Sequence, residues 1–493
     1  MAETLKVNPE PRMLIDGELV EATGGKTFEN VNPATEEVLG QVADASSEDM
    51  QRAIAAARRA VDETTWSTDR VFRKECLLQL KAALQGEQEE LREQLIQEVG
   101  APRMLTHGPH LDLPLADALS YPAELIDRYA WETDLEDCLD MRGNPTSRRV
   151  WKEPIGVVGA ITPWNYPFEV AIVKLGQALA TGNTVILKPA PDTPWNATLI
   201  GRVIAEQTDI PAGVVNVVTS SDHLVGEELT LSRQVDCISF TGSTAVGKRI
   251  MEKGAATMKR LFLELGGKSA TVVLEDADLS AASMAGFAVC SHAGQGCAIQ
   301  TRMLLPRSRY EEGVEMLKGA MAAVPYGDPQ RPDVLMGPLI SAKQRDRVLG
   351  YIEKGAAEGA TLALGGGRPK DLDKGWYVEP SLFTDVDSSM TIAQEEIFGP
   401  VLVVIPFDDE DDAVRIANDS QYGLSGGVYS GSLERSLAVA RRIRSGVLSI
   451  NGGNFYSADM PFGGYKDSGI GRQNGTAGFD QYVETKALAW PAT

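Results

Sequence analysis

The stretch "IGVVGAITPWNYPFEVAIVKLGQALATGNTVILKP", residues 155–189, decides the fold. It opens on IGVVGAI (155–161), an unbroken apolar run, and closes on NTVILKP (183–189), another. Between them, 167–181 reads as a helix. Apolar runs without polar alternation are strands covered on both faces, and two such strands joined by a helix form a parallel βαβ unit. The same alternation continues outward. A helix over 194–207 is followed by VVNVVT (214–219), a short helix, DCISFT (236–241), a helix over 244–255 and RLFLEL (260–265). This predicts a parallel sheet with helices on both faces.

Around residue 268 the alternation restarts. SATVVLE (269–275), TRMLLP (301–306) and PVLVVIPF (400–407) read as strands, with helices over 308–323, 341–358, 409–418 and 432–444. They predict a second α/β domain. Upstream, RMLIDGELVEA (12–22) carries an Asp-Gly hairpin signal, and 46–63 and 69–99 read as long amphipathic helices, with a further one after Pro102 up to about Trp131. The polar segment 133–154 reads as a projecting hairpin. The terminal FDQYVETKALAW (479–490) is strand-like; it either adds to another subunit's sheet or closes a sheet of its own chain.

The chain has 493 residues, enough for two or three domains, and a formal charge of −22 without any Lys/Arg cluster. Such a surface repels nucleic acid and anionic membrane, so neither is an expected partner. The five cysteines (76, 138, 237, 290 and 297) show no C-x-x-C spacing, which suggests a reducing compartment. The four histidines form no metal-binding pattern, and no metal is expected. The N-terminal MAETLKVNPEPRML has no signal-peptide core, and no apolar stretch reaches the length of a membrane span. A soluble, cytoplasmic protein is the expectation.

HAGQGCAIQTR (292–302) places Cys297 in a loop between a helical stretch (278–293) and a strand, just after Gly294 and Gly296. A free cysteine is ordinarily a small buried hydrophobe. Glycines that clear space ahead of the sulfur, on a loop, also suit a nucleophile. Glu264 stands between Leu263 and Leu265 at a strand end. In apolar surroundings its pKa would rise and suit a general base; turned outward it is a solvated surface group. Asn165, between Trp164 and Tyr166, either aims its amide at a developing oxyanion or caps a helix. GSTAVG (242–247) is a Gly-rich strand-to-helix turn resembling a dinucleotide fingerprint with Thr244 at the second glycine position, and Lys188 ends a neighbouring strand where a cofactor ribose would lie. A thiol, a carboxylate, an amide donor and a nucleotide loop fit one chemistry: thiolate addition to a carbonyl, hydride loss to a nicotinamide, and hydrolysis of a thioester.

PWNYP (163–167), VILKPA (185–190), FTGS (240–243), LELGGKS (263–269), GQGC (294–297), EEIFGPV (395–401) and PFGGYKDSGIGR (461–472), in this order, resemble the NAD(P)-dependent aldehyde dehydrogenase superfamily over nearly the whole chain. The resemblance implies a Rossmann-type cofactor domain (1–131 and 151–265), a catalytic domain (266–465) and a small β oligomerisation segment (132–150 and 481–493), in a homodimer or homotetramer. It implies Cys297 as nucleophile, with a local field in its loop that favours the thiolate, Glu264 as the base for the deacylating water, and Asn165 with the backbone N–H of Cys297 as the oxyanion hole. Lys188 would hold the adenosine ribose, Ser243 the pyrophosphate, and Glu396 with Phe398 the nicotinamide ribose and ring. Ile161, Thr162, Pro163, Trp164, Pro191, Gly242 and Leu265 complete the expected cofactor contacts.

Three positions depart from the family pattern or refine it. Many NAD-preferring members carry an acid three residues after the lysine; Pro191 stands there, followed by Asp192, so NADP joins NAD as a possible cofactor. Gly296 and Ala298 leave Cys297 without a neighbouring thiol. Glu169 lies one turn beyond Asn165, on the helix expected to line the aldehyde tunnel with Tyr166, Val170, Val173, Tyr456, Met460 and Phe462. That set favours an apolar or aromatic aldehyde, whereas Glu169 would favour an amine-bearing one. A cofactor-independent thiol esterase using Cys297 and Glu264 is the alternative reaction.

Overall fold

The computed structural model describes residue 7 and residues 9–492. Residues 1–6 and 8, within the segment read for a signal peptide, and Thr493, the end of the expected oligomerisation segment, lie outside the described residues.

IGVVGAI forms the strand Val157–Ile161, which sits inside an eight-stranded sheet. Five strands run parallel in the spatial order Val215–Val217, Thr184–Lys188, Val157–Ile161, Cys237–Thr241, Arg260–Glu264. The chain steps outward from Val157–Ile161 on one side, then returns to build the other. The switch point therefore lies between the carboxyl ends of Val157–Ile161 and Cys237–Thr241, where doubly wound sheets bind their ligands. The hairpin Met13–Ile15/Glu18–Val20 turns on Asp16 and Gly17, with φ of 57° and 82°, and pairs antiparallel with Val215–Val217. Helix Pro167–Ala180 starts on a proline, whose missing N–H costs nothing at that position. It is buried along its whole length and packs against helices Arg70–Gly86 and Ser120–Arg128.

The second α/β unit is a seven-stranded sheet in the order Thr361–Leu364, Ser381–Thr384, Val401–Phe407, Gln300–Pro306, Ser269–Val273, Gly426–Tyr429, Ser449–Ile450, parallel except for its first strand. PFGGYKDSGIGR clasps the two sheets. Its strand Gly469–Ile470 pairs antiparallel with Arg260–Glu264, setting Gly469 opposite Glu264. Ser468 Oγ donates to the Gly266 carbonyl at 2.6 Å and accepts from the Gly423 N–H at 3.0 Å.

The segment 133–154 is a hairpin of Glu132–Leu139 and Pro145–Pro154. The terminal strand Val483–Pro491 pairs along Pro145–Pro154 of its own chain, in register from Val483–Pro154 to Pro491–Thr146. Of the two alternatives for this strand, closure of its own sheet is the one found. Leu135, Leu139, Met141 and Trp490 of this three-stranded sheet are exposed.

Three helix boundaries differ from the periodicity. The span 69–99 is two helices, Arg70–Gly86 and Gln88–Val99, broken at Glu87 after a glycine that disfavours helix. Beyond Pro102 there are three short helices, Arg103–Thr106, Asp112–Asp117 and Ser120–Arg128, in a stretch where Pro109, Pro114 and Pro122 each remove a backbone donor. Ahead of Cys297 the α-helix Leu279–Phe287 gives way to a tight turn over Ala288–Gly294, in which His292, Ala293 and Gly294 have φ of 49°, 53° and 72°. Among the described residues no helix is long and apolar enough to cross a membrane.

Candidate active site

Those three left-handed residues fold the chain back and deliver Cys297 to the wall of a cavity of about 530 Å³. All five cysteines are free. A Cβ at Gly267 would stand 2.5 Å from the Cys297 carbonyl oxygen, so LELGGK must be glycine where it crosses the cysteine loop. Ser425 Oγ donates to the Ala298 carbonyl at 2.6 Å and fixes the other side of the loop. Sequence reasoning expected a local field that favours the thiolate. The structure corrects this: burial and the carboxylates of Glu264, Glu396 and Glu169 push the thiol well above its ordinary pKa. At neutral pH the sulfur keeps its proton until a base removes it.

Glu264 ends its strand only 2 % exposed and lines the same cavity, so the solvated reading fails. Neither carboxylate oxygen has a hydrogen-bond partner. Burial raises its pKa to about 8 against the opposing pull of Lys174. Lys174 is buried on helix Pro167–Ala180, donates to Ser239 Oγ at 2.9 Å and lies 4.7 Å from the Phe262 ring centre, with its own pKa lowered by burial to about 8. A lone lysine in FEVAIVKLGQALA was the sequence signal for this group, and it was not read.

Asn165 is buried, and its Nδ2 donates to the Gln295 carbonyl at 2.8 Å, which brings the helix start to the cysteine loop. Gln295 is itself fully buried. Its Nε2 donates to the His292 and Pro338 carbonyls at 3.1 and 3.3 Å, and its Oε1 accepts from the Ile340 N–H at 2.9 Å. The sequence reading gave Gln295 no role. If Gln295 orients the Asn165 amide, then Gln295→Ala should lower kcat by roughly ten- to hundredfold in the parent enzyme and by much less in an Asn165→Ala background. Equal losses in both backgrounds, read from the double-mutant cycle, would contradict that coupling.

The half-buried Tyr166 stacks on the buried His110 at 4.3 Å between ring centres, and the buried His292 meets His110 edge-on at 4.5 Å. Burial holds both imidazoles neutral, His292 at about 4. His110 lies far from the cysteine loop in sequence, and nothing in its own neighbourhood announces the contact.

The switch point has the features a dinucleotide requires. Ser243 caps helix Thr244–Gly254, its Oγ accepting from the Val246 N–H, and Ser243, Ala245 and Val246 are exposed, so the helix N-terminus is open to an anion. Gly242 donates its N–H to the Glu264 carbonyl at 3.0 Å, and Leu265 packs where a Cβ on Gly247 would fall. The buried hydroxyl of Thr162, next to Ile161 and Pro163, has no partner. Lys188 is buried at its strand end and donates to the Pro189 and Ser220 carbonyls at 3.1 Å each. Pro191 is half-buried and Asp192 exposed. Trp164 meets Phe398 edge-on at 5.3 Å, and Phe398 adopts a left-handed φ of 60°. Glu396 accepts from the Gly267 N–H at 2.8 Å, which ties it to the Glu264 strand end. Ile161, Lys188, Thr241 and Glu264 thus end neighbouring parallel strands beside an exposed helix N-terminus, where the donors suit a nicotinamide dinucleotide. Among the described residues no group of three or more His, Cys, Asp or Glu is placed to hold a metal ion.

The cavity wall includes Tyr166, Glu169, Val170, Val173, Tyr456 and Phe462 as expected. Met460 is not among its lining residues and is 37 % exposed, because the loop 454–458 turns Tyr456 inward instead. Phe455, Leu113 and Asp117 also line it. The sequence order of these segments gives no hint that Asp112–Asp117 faces the loop 454–458.

A doubly wound sheet with an open switch point, abutting a cavity that holds a thiol and an unpaired carboxylate, is the arrangement of a nicotinamide-dependent oxidoreductase. The model of the aldehyde dehydrogenase family matches residues 19–488. A 3-succinoylsemialdehyde-pyridine dehydrogenase from a Pseudomonas species is 41 % identical over 96 % of this chain and 97 % of its own. A putative aldehyde dehydrogenase from Staphylococcus saprophyticus is 40 % identical over 97 % of this chain and 98 % of its own. Among solved structures, betaine aldehyde dehydrogenase from Staphylococcus aureus in complex with NAD+ superposes with a TM-score of 0.94 at 34 % identity, covering 98 % of this chain and 95 % of that one. An aldehyde dehydrogenase from Mycobacterium tuberculosis complexed with NAD+ superposes with a TM-score of 0.92 at 41 % identity, covering 97 % of each chain. The chain belongs to the aldehyde dehydrogenase family, enzymes that oxidise an aldehyde with NAD(P) as the acceptor.

Proposed function

We propose that this enzyme oxidises an aldehyde with an apolar or aromatic body to its carboxylic acid, with NAD as the cofactor and Cys297, Glu264 and Asn165 as its catalytic residues. The observation that carries the reading is one cavity lined by both Cys297 and an unpartnered Glu264. The thiol gives its proton to water, and the resulting Sγ thiolate adds to the carbonyl carbon. The oxyanion of the thiohemiacetal meets Asn165 Nδ2 and the Cys297 N–H. When bound, the nicotinamide supplies the acceptor for the hydride leaving that carbon, and a positive charge near the thiol. Glu264, in its ionised form, takes a proton from the water that attacks the thioester; the C–S bond breaks and that proton leaves with the sulfur. Ile161, Thr162, Pro163, Trp164, Lys188, Pro191, Gly242, Ser243, Leu265, Glu396 and Phe398 hold the cofactor. A cofactor-independent thiol esterase would leave the switch-point crevice without a role.

The apolar or aromatic preference is supported by Tyr166, Val170, Val173, Phe455 and Phe462 in the cavity wall, and by the aromatic aldehyde named for the Pseudomonas relative. We assign 1–131 and 151–265 to the cofactor domain, 266–465 to the catalytic domain, and 132–150 with 481–493 to oligomerisation in a cytoplasmic homodimer or homotetramer. The exposed Leu135, Leu139, Met141 and Trp490 support that use of the three-stranded sheet.

The test is absorbance of reduced nicotinamide on mixing the enzyme with NAD or NADP and a panel of apolar, aromatic, amino and acidic aldehydes. A signal with aldehydes of apolar or aromatic body, amine-bearing ones included, is expected; a signal only with acidic ones would overturn the substrate reading. Because no carboxylate stands at Pro191, Pro191→Glu should raise the NAD-over-NADP ratio of kcat/KM by roughly tenfold, the effect of about 1.4 kcal/mol of added charge repulsion. An unchanged ratio would remove Pro191 from the cofactor site.

A further inference from the structure

Glu169 is 9 % exposed in the first turn of helix Pro167–Ala180, and its carboxylate lines the cavity that holds Cys297. Its Oε1 accepts from the Tyr456 hydroxyl, which in turn accepts from Gln473 Nε2 at 3.0 Å. Tyr456 is braced edge-on by Phe462 at 5.0 Å. Among the described residues no group bonds Oε2. Lys174, on the same helix, points its ammonium at Ser239 instead. The cavity wall therefore carries Glu169, Asp117 and Glu264 and no lysine or arginine. A carboxylate buried this far is costly unless something neutralises it. A single hydroxyl does so only in part, and Lys174, whose charge also favours the carboxylate, bonds Ser239 rather than Glu169. Glu264 has a chemical task. Glu169 does not, and the rings of Tyr166, Tyr456 and Phe462 near it are surfaces on which a cation rests well.

We propose that Glu169, held in place by Tyr456, is a substrate subsite that selects aldehydes whose apolar body carries a cationic nitrogen, ammonium or quaternary ammonium. This rests on the cavity being the aldehyde tunnel and narrows the substrate class within it. The apolar wall takes the body of the molecule, and the carboxylate takes the charge.

The test uses the wild-type enzyme with NAD and three aldehydes of one shape: trimethylammonio-butanal, its neutral tert-butyl isostere, and a carboxylate-ended analogue. The cationic aldehyde should exceed the neutral one in kcat/KM by roughly ten- to hundredfold, the range of a charge-assisted contact, mainly through KM. The anionic one should be poorest. Glu169→Gln should collapse the cation-to-neutral ratio by roughly tenfold or more. Equal use of cationic and neutral aldehydes by the wild type would overturn the subsite while leaving the oxidation intact, and it needs no variant to fold. A ratio unchanged in Glu169→Gln would place the selectivity elsewhere and also overturn it. Absence of reduced cofactor with every aldehyde would overturn the activity itself, and the subsite with it.

Discussion

Cys297→Ser loses at least about a thousandfold in NADH production with every aldehyde, while its NAD affinity, read by fluorescence quenching, stays within about twofold. The serine hydroxyl is smaller and far less acidic than the thiol, and the surrounding carboxylates that already oppose a thiolate oppose an alkoxide more. The strand ends at 161, 188, 241 and 264, where we propose that the nucleotide binds, do not depend on the Cys297 side chain, so the substitution leaves them in place. The same field gives a second reading of this site. In the free enzyme, alkylation of Cys297 by iodoacetamide should be slow at neutral pH and quicken as pH rises, since burial and three carboxylates hold the proton on sulfur. NADH production by Cys297→Ser close to the wild-type rate would end the nucleophile assignment.

Glu264→Gln acylates and stalls. Mixed with aldehyde and NAD it should give a burst of about one equivalent of NADH, followed by a steady rate roughly a hundred- to ten-thousandfold below wild type. The pH dependence has a definite sign. The group works as a base when ionised, and burial raises its pKa to about 8. Wild-type deacylation should therefore climb with pH and level off above about 8, and that climb should vanish in Glu264→Gln. Full steady-state turnover in the variant would mean that another group takes the water's proton. Glu169 and Glu396, raised by burial to about 7 each, are the carboxylates to examine next.

The strands of both sheets were legible because apolar runs such as NTVIL and VLVVI admit few other readings, and the switch point follows from their order. Glu264 and Asn165 were legible as candidates because motif and strand-end position agreed. The environment around them was not. The sign of the field at Cys297 came out opposite to expectation because it is set by carboxylates at positions 169, 264 and 396, which converge only in three dimensions. The Asn165–Gln295 bond and the His110–His292 contact span large sequence separations for the same reason. Helix ends were misread at Gly86 and across the Pro109–Pro122 stretch, where apolar spacing persists although the backbone breaks. Met460 and Tyr456 are four residues apart on one loop, and only the fold decides which of them faces the tunnel.

The most direct test of the central claim is the mass of Glu264→Gln after mixing with NAD and an apolar aldehyde, followed by peptide mapping. An intact mass increased by one acyl group, located on the peptide that contains Cys297 and matched by one equivalent of NADH, is the predicted result. Reduced cofactor formed without an adduct, or with the acyl group on any other residue, would contradict it.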